Sequence, residues 1–318
     1  MKLNKKILIT GSEGFLGTYL KNYYLEKNFK VVGLDNLSKY KSKSKTITSN
    51  KKFSFHKVDC SYENKIFKYL KDCDTIIINA ANIGGIKHLD EGYLTLLREN
   101  QNIFNASLNA SIKAFKRYKL KKIILISTSM IYENNGAKFS TEKDDLRISY
   151  PKNLYAFQKL TSEILLKAAS KQYGFKYNII RPFNLIGKFE EDKVAIMSHV
   201  IPELIKKLKN SSKKIKIYGD GSQERSFTSV SEAAKCIYLI SSRKNCENQI
   251  FNIGSEESTS IRKLIKLLSK ILKIKKKLIK TKGFASDVRF NRCNSNKVFA
   301  YTGYKPRKKL KDIVRDLI

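Results

Sequence analysis

Tyr155 and Lys159 stand four residues apart in Ser149-Tyr-Pro-Lys-Asn-Leu-Tyr-Ala-Phe-Gln-Lys159. On a helix such a pair shares one face, where a cation can make a phenol more acidic. A free phenol has a pKa of about 10, and bringing it to neutrality takes about 4 kcal/mol of differential stabilisation. The lysine and an oxidised nicotinamide ring, both positive, would supply it. The phenolate can then take a proton from an alcohol while hydride leaves the alcohol's carbon, and the phenol can return that proton in the reverse direction. Thr128, in the hydroxyl cluster Ser127-Thr-Ser129, is placed to hold the same oxygen.

An apolar run, Ile7-Leu-Ile-Thr10, opens directly into Gly11-Ser-Glu-Gly14-Phe-Leu-Gly17. Glycines at this spacing, where a strand turns into a helix, let the backbone approach a pyrophosphate whose space a Cβ would fill. The helix then presents its unpaired N–H groups and positive dipole end to the anion. Asp35 follows Gly17 by 18 residues and ends a second apolar run. A carboxylate there accepts hydrogen bonds from the adenosine ribose and repels a 2′-phosphate, which favours NAD(H) over NADP(H), although Lys39 and Lys41 stand close by. Asp59, in Val58-Asp-Cys60, fits either an adenine amine or a helix cap.

Positioning these groups requires a scaffold, and the first half of the chain supplies a pattern for one. Short apolar runs alternate with helical periodicity, the signature of a doubly wound parallel α/β sheet. Strands are expected at Lys6–Thr10, Lys30–Asp35, Phe53–Val58, Thr75–Asn79, Lys122–Ser127 and Lys176–Arg181. Helices are expected at Gly14–Lys27, Tyr62–Leu70, Tyr93–Tyr118 and Asn153–Tyr173. Thr75-Ile-Ile-Ile-Asn79 is apolar almost throughout, as a strand covered on both faces should be. Ser38–Lys52 reads as a basic surface loop. Beyond Pro182 the rhythm changes: a helix is expected over Met197–Lys209, strands over Lys214–Tyr218 and Gln249–Ile253, a helix over Ser260–Lys273 and a solvated turn at Lys275–Lys277. The expected division is a dinucleotide-binding domain over 1–183, to which 222–253 returns, and a smaller α/β substrate-binding domain from 184–221 and 254–318.

Composition excludes several other classes. The chain has 318 residues, 42% of them hydrophobic, which suits a globular protein with a large core. No apolar stretch is long enough to cross a bilayer, and the first residues run straight into a strand, leaving no room for a signal peptide. Five cysteines without C-x-x-C spacing predict reduced thiols and a cytoplasmic location, and three scattered histidines (His56, His88, His199) predict no metal site. The net charge of +36 would attract polyanions, but it is mostly lysine spread along the chain, without an arginine patch interleaved with aromatics. Steering of an anionic substrate is therefore preferred to nucleic-acid binding.

The chain resembles the extended short-chain dehydrogenase/reductase family, specifically its nucleotide-sugar epimerases and dehydratases, over nearly its full length. The resemblance rests on Gly11–Gly17, Val31-Val-Gly-Leu-Asp-Asn-Leu-Ser38, Ser127-Thr-Ser-Met-Ile-Tyr132, Tyr155–Lys159 and Arg181-Pro-Phe-Asn-Leu-Ile-Gly187. Tyr218-Gly-Asp-Gly-Ser-Gln-Glu-Arg-Ser-Phe-Thr228 and Asp287-Val-Arg289 are similar to its later segments. It implies a Rossmann fold, bound NAD, and Thr128, Tyr155 and Lys159 as the catalytic group. Cofactor contacts are implied at Gly11, Gly14, Phe15, Leu16, Gly17, Asp35, Asn36, Asp59, Cys60, Ala80, Ala81, Asn100, Tyr155, Lys159 and Pro182. Substrate contacts are implied at Met130, Asn184, Tyr218 and two phosphate-binding arginines, Arg225 and Arg289. The implied substrate is a nucleoside-diphosphate sugar, UDP- or GDP-linked, and the two helices Tyr93–Tyr118 and Asn153–Tyr173 resemble those that pair in the family's homodimers.

Departures from the family pattern narrow the reaction. Its dehydratases carry Asp-Glu after the catalytic threonine, where Ser129-Met130 offers neither acid nor base; its 3,5-epimerases carry a cysteine where Met130 stands. Redox at sugar C4 remains. The resemblance thus implies a 4-epimerase that oxidises C4, lets the 4-keto sugar rotate, and reduces it from the other face. Alternatives are a 4-dehydrogenase or 4-keto reductase that stops after one hydride step, and a non-catalytic NAD- or polyanion-binding protein, against which the intact Thr128–Tyr155–Lys159 group speaks.

Overall fold

A computed structural model describes residues 5–38, 50–83, 93–133, 139–143, 153–188, 200–283 and 289–318. Most of the expected basic loop over 38–52 lies outside these residues, as do Lys39, Lys41, His88, Met197, His199 and Asp287.

Seven strands form one sheet: β1 (Lys6–Thr10), β2 (Lys30–Asp35), β3 (Phe53–Lys57), β4 (Thr75–Ile78), β5 (Lys122–Ile126), β6 (Lys176–Pro182) and β11 (Gln249–Ile253). Their order is β11-β6-β5-β4-β1-β2-β3, and every neighbouring pair is parallel. The chain leaves β1 toward one edge through β2 and β3, then returns to β4 on the other side of β1. That reversal opens a crevice at the carboxyl ends of β1 and β4, where open α/β sheets bind ligands.

Alternation along the strands explains why nearly every position is apolar. Leu8, Ile76, Ile78 and Ile123 pack on one face with Phe104 of α3 (Tyr93–Arg117) and Leu166 of α4 (Leu154–Tyr173). Ile7, Ile9, Ile77 and Ile124 pack on the other with Leu20 of α1 (Phe15–Glu26) and Ile237 of α6 (Val230–Ser241). A short α2 (Glu63–Phe67) lies beside α3. The helix α6 has no counterpart among the sequence expectations. Ser229 and Glu232 stand at the spacing of a helix-start signal that those expectations passed over, although Ser229 makes no side-chain cap bond.

A second core joins Leu204 of α5 (Val200–Lys209), Ile215 and Ile217 of β8 (Lys214–Tyr218), Leu264 and Leu268 of α7 (Ile261–Leu272), and Ile313 of α9 (Leu310–Leu317). The lysine run expected to be a turn instead leads into β13 (Lys277–Thr281), where Lys277 pairs with Lys214 of β8 in parallel. Short strands β9 (Glu224–Ser226), β12 (Ser258–Ser260) and β14 (Phe290–Asn291) form a small sheet, and α8 (Asn296–Thr302) precedes α9. A two-stranded pair of β7 (Leu185–Ile186) and β10 (Thr228–Ser229) links the two cores. Among the described residues no helix is long and apolar enough to cross a membrane, and all five cysteines are buried free thiols.

Candidate active site

One cavity of about 920 Å³ runs from the glycine turn, across the ends of β4 and β5, to β8 and β9. At its first end Gly11 has φ +67°, and a Cβ on it would stand 2.9 Å from the Ala80 Cα. Gly14 caps α1, whose first turn holds no acidic residue and no side-chain cap. The orphan N–H groups of that turn, beside Phe15 and Leu16 on the cavity wall, suit a pyrophosphate. Gly17 does not line the cavity. A Cβ there would sit 1.9 Å from the Gly11 carbonyl oxygen, so this glycine lets the helix close onto the turn rather than admitting the phosphate itself.

Asp35 and Asn36 line the same end. The Asp35 carboxylate accepts from the N–H of Leu37 (2.8 Å) and of Glu13 (3.1 Å). Burial pushes its carboxyl up, while those two N–H groups act against the rise. Asp59 lines the wall and accepts from the Ser61 N–H at 2.9 Å and hydroxyl at 2.7 Å, so the carboxylate that could meet an adenine also secures its own turn. Cys60 is a buried wall residue whose thiol desolvation pushes up to about 12, leaving it unreactive. Ala80 and Ala81 continue the wall. Asn100 stands behind it: its side chain accepts from the Asn82 N–H (2.6 Å) and donates to the Asn82 carbonyl (2.9 Å), shaping the loop after β4. These features fit the adenosine, pyrophosphate and nicotinamide parts of NAD.

At the centre, Thr128 follows the end of β5 by two residues and Tyr155 stands in the first turn of α4. Asn153 caps α4, its side-chain oxygen accepting from the N–H groups of Tyr155 (2.9 Å) and Ala156 (3.2 Å). The Asn153 N–H is in turn held by Glu133 at 2.7 Å. Thr128 Oγ1 accepts from the Met130 N–H at 3.2 Å, which turns the chain into the short 3-10 helix Ser129–Tyr132. Tyr155 and Lys159 are both buried on the cavity wall. Lys159 Nζ lies 5.8 Å from the Tyr155 ring centre and donates to the Ile126 carbonyl at 3.0 Å. Burial pushes the Tyr155 phenol up, so the fall expected from Lys159 and an oxidised nicotinamide together would have to overcome this desolvation. Burial likewise lowers Lys159 to about 8, with Glu163 opposing the fall.

Beyond Pro182, the other end is lined by Asn184, Tyr218 and Arg225. Asn184, held at φ +33°, donates to the Ser226 carbonyl at 3.0 Å and to Asn291 at 3.2 Å. Arg225 donates to the Glu224 carbonyl at 2.8 Å. Arg289 is not brought to this wall: it is exposed, with its guanidinium 5.3 Å from the Phe290 ring centre. Several wall residues had no sequence signal, among them Glu133, Asn291, Lys207 and Lys216. Lys207 lies over the Tyr218 ring at 4.9 Å and pairs with Glu203. With Lys216 and Arg225 it makes this end cationic, whereas Asp35 and Asp59 make the opposite end anionic.

Residues 7–254 match the model of the NAD dependent epimerase/dehydratase family. A UDP-N-acetyl-alpha-D-glucosaminuronate decarboxylase of Bacillus cytotoxicus is 30% identical, over 82% of this chain and 78% of its own. The structure of a UDP-N-acetylglucosamine 4-epimerase from Methanobrevibacter ruminantium in complex with UDP-N-acetylmuramic acid superposes with a TM-score of 0.83, at 28% identity, over 98% of this chain and 96% of that one. A UDP-glucuronic acid 4-epimerase from Bacillus cereus, in complex with UDP-glucuronic acid and NAD, gives 0.83 at 26% identity, over 98% and 97%.

Proposed function

Because the chain belongs to the NAD-dependent epimerase/dehydratase family, an extended short-chain dehydrogenase/reductase group of enzymes that use NAD, we propose that it inverts C4 of a UDP-linked sugar by transient oxidation. The observation that carries this reading is the placement of Thr128, Tyr155 and Lys159 on one wall of a cavity reaching from the glycine turn to Arg225. Met130, where elimination would need an acid or base, further supports simple redox.

The cofactor supplies, when bound, reversible hydride exchange with the carbon that carries the reacting hydroxyl. Tyr155 takes the C4 hydroxyl proton on oxidation and returns it on reduction. Thr128 holds the same oxygen, and Lys159 keeps a positive charge beside the phenol. Asp35 binds the ribose, and the first turn of α1 binds the pyrophosphate. Arg225, Lys207 and Lys216 draw the sugar nucleotide's diphosphate to the opposite end, with Asn184 and Tyr218 as further contacts.

Purified protein incubated with UDP-glucose, UDP-N-acetylglucosamine and UDP-glucuronic acid tests the proposal by product analysis. A 4-epimer formed without added cofactor supports it. Stoichiometric NADH indicates a 4-dehydrogenase instead. Release of CO2 from the uronate indicates decarboxylation, since a 4-keto uronate is a β-keto acid. Leu94 of α3, 63% exposed, and Ile164 of α4, 56% exposed, support a homodimer formed through these helices, which light scattering would measure as twice the chain mass.

A further inference from the structure

We propose that the buried ion pair of Glu163 and Arg181 is a positioning device, resting on the epimerase reading above, that holds Thr128 against Tyr155 without itself reaching the cavity. Tyr155, Lys159 and Glu163 occupy three successive turns on one side of α4. The lower two grip the end of β5: Lys159 through the Ile126 carbonyl, and Glu163 by accepting from the Ser127 hydroxyl. Thr128 is the next residue.

Arg181, on β6, closes the arrangement. Its guanidinium donates to both carboxylate oxygens of Glu163, from Nε to Oε1 at 3.0 Å and from Nη2 to Oε2 at 2.5 Å. Its Nη1 donates to the Tyr132 hydroxyl at 2.6 Å, and that hydroxyl donates to Asn252 on β11 at 2.9 Å. The segment carrying Thr128 and Met130 is therefore pinned at Ser127 by one partner of the ion pair and at Tyr132 by the other. Met130 packs against the cluster of Leu96 and Tyr155 between those pins. Any slip of β5 along α4 would break the Ser127–Glu163 pin together with the Lys159–Ile126 bond.

Stability alone gives little reason for this pair. Glu163 and Arg181 are fully buried, and removing two charges from water opposes much of their mutual attraction, so well-packed apolar residues often serve as well. A fixed register of hydroxyl against phenol is something apolar packing would not specify as tightly. The groups facing Lys159 agree with this role: Tyr155 and Glu163 come from its own helix, and Arg181 stands behind Glu163 on β6, so Glu163 helps Lys159 retain its proton against burial.

Three variants test the device: Tyr132→Phe, Glu163→Gln, and Glu163→Leu combined with Arg181→Met. Tyr132→Phe removes one pin but keeps the ring stacked on Phe183. Each is assayed for kcat, KM and the pH profile of kcat, and the double variant is crystallised. Glu163→Gln is expected to lower kcat about a hundredfold, the scale of a misplacement of about 1 Å, with little change in KM. Its alkaline limb should move to lower pH, and Tyr132→Phe should lower kcat about tenfold without that move. The double variant should fold and show Thr128 displaced from Tyr155. Wild-type kcat and pH profile in these variants, or lowered kcat with Thr128 unmoved, overturns the proposal. If the double variant does not fold, the two single variants decide. If the wild type forms no epimer, the functional reading fails, and the crystal arm alone decides the positioning role.

Discussion

Lys159 Nζ donates to the Ile126 carbonyl at 3.0 Å and lies 5.8 Å from the centre of the Tyr155 ring. The ammonium is therefore held beside the ring by the backbone at the end of β5, two residues before Thr128. Burial lowers it to about 8, so it is charged below that pH and neutral above. The proposed mechanism needs the charged form, and kcat should fall as pH rises through about 8. Tyr155→Phe, which keeps the ring but deletes the proton carrier, should lose activity about 10³-fold across the whole range. A pH series on both proteins checks the two expectations; a flat alkaline side would remove Lys159 from the mechanism.

The same lysine predicts an activity–stability conflict. Its folded pKa lies below the ordinary value of 10.5, so between about 8 and 10.5 the unfolded chain holds a proton that the folded protein does not. Stability from this group thus rises with pH through that window, and its penalty is fully present below about 8. Lys159→Met should abolish turnover yet gain stability relative to wild type, by on the order of 3 kcal/mol at most, near neutrality. The gain should shrink toward pH 10.5. Thermal melts of both proteins at pH 7 and pH 10 compare the differences, and a difference independent of pH would contradict the assignment.

Much of the scaffold was legible because the sheet is covered on both faces. Runs such as Ile76, Ile77 and Ile78 leave no polar alternative, and the structure places all three in the core. Gly11, Asp35, Thr128, Tyr155 and Lys159 were legible because each sits at a strand end or on one helix face, at a spacing that local geometry sets. Asn291 and Lys207 were not, since they reach the cavity only through contacts between distant segments, and Glu133, at the end of the short helix that Thr128 opens, belongs to no motif. Arg289 rested on motif similarity alone, and the structure has it exposed over Phe290, off the cavity wall. Lys277 was misread because a lysine run suggests solvent, although alternate residues of an exposed edge strand can be lysine as readily as anything else. The upward push on Tyr155 reflects burial, which the spacing of Tyr155 and Lys159 does not encode.

Glycine positions of unlike geometry give a sharp contrast. Gly17 has no room for a methyl group, its Cβ falling 1.9 Å from the Gly11 carbonyl oxygen, which belongs to rigid backbone. Gly17→Ala should open the turn and raise the dissociation constant for NAD at least tenfold. Gly174, at the end of α4, has φ +90° with nothing within 4 Å of an added Cβ. Gly174→Ala should lower stability by about 1 kcal/mol through backbone strain alone and leave NAD affinity intact. Isothermal titration of both variants with NAD distinguishes the sites. Equal affinities would show that the turn tolerates the methyl group.

Beneath the glycine turn, Glu13 and Lys21 form a second fully buried ion pair, Lys21 Nζ reaching both carboxylate oxygens at 2.9 Å. Burial lowers the Lys21 pKa, while Glu13 opposes that fall. Removing one member strands the other charge in the core, so Lys21→Leu and Glu13→Ala alone should each destabilise the fold by about 3–5 kcal/mol. The pair replaced together should be close to neutral, or more stable than wild type, because neither ion then needs to be desolvated. NAD affinity should survive in the double variant, since Asp35 is held by the backbone N–H of Glu13 and not by its side chain. Chemical denaturation of the two single variants and the double variant measures the coupling between them. A double variant as unstable as the sum of the singles would mean that the two charges do not stabilise one another, and that shape alone fixes the turn.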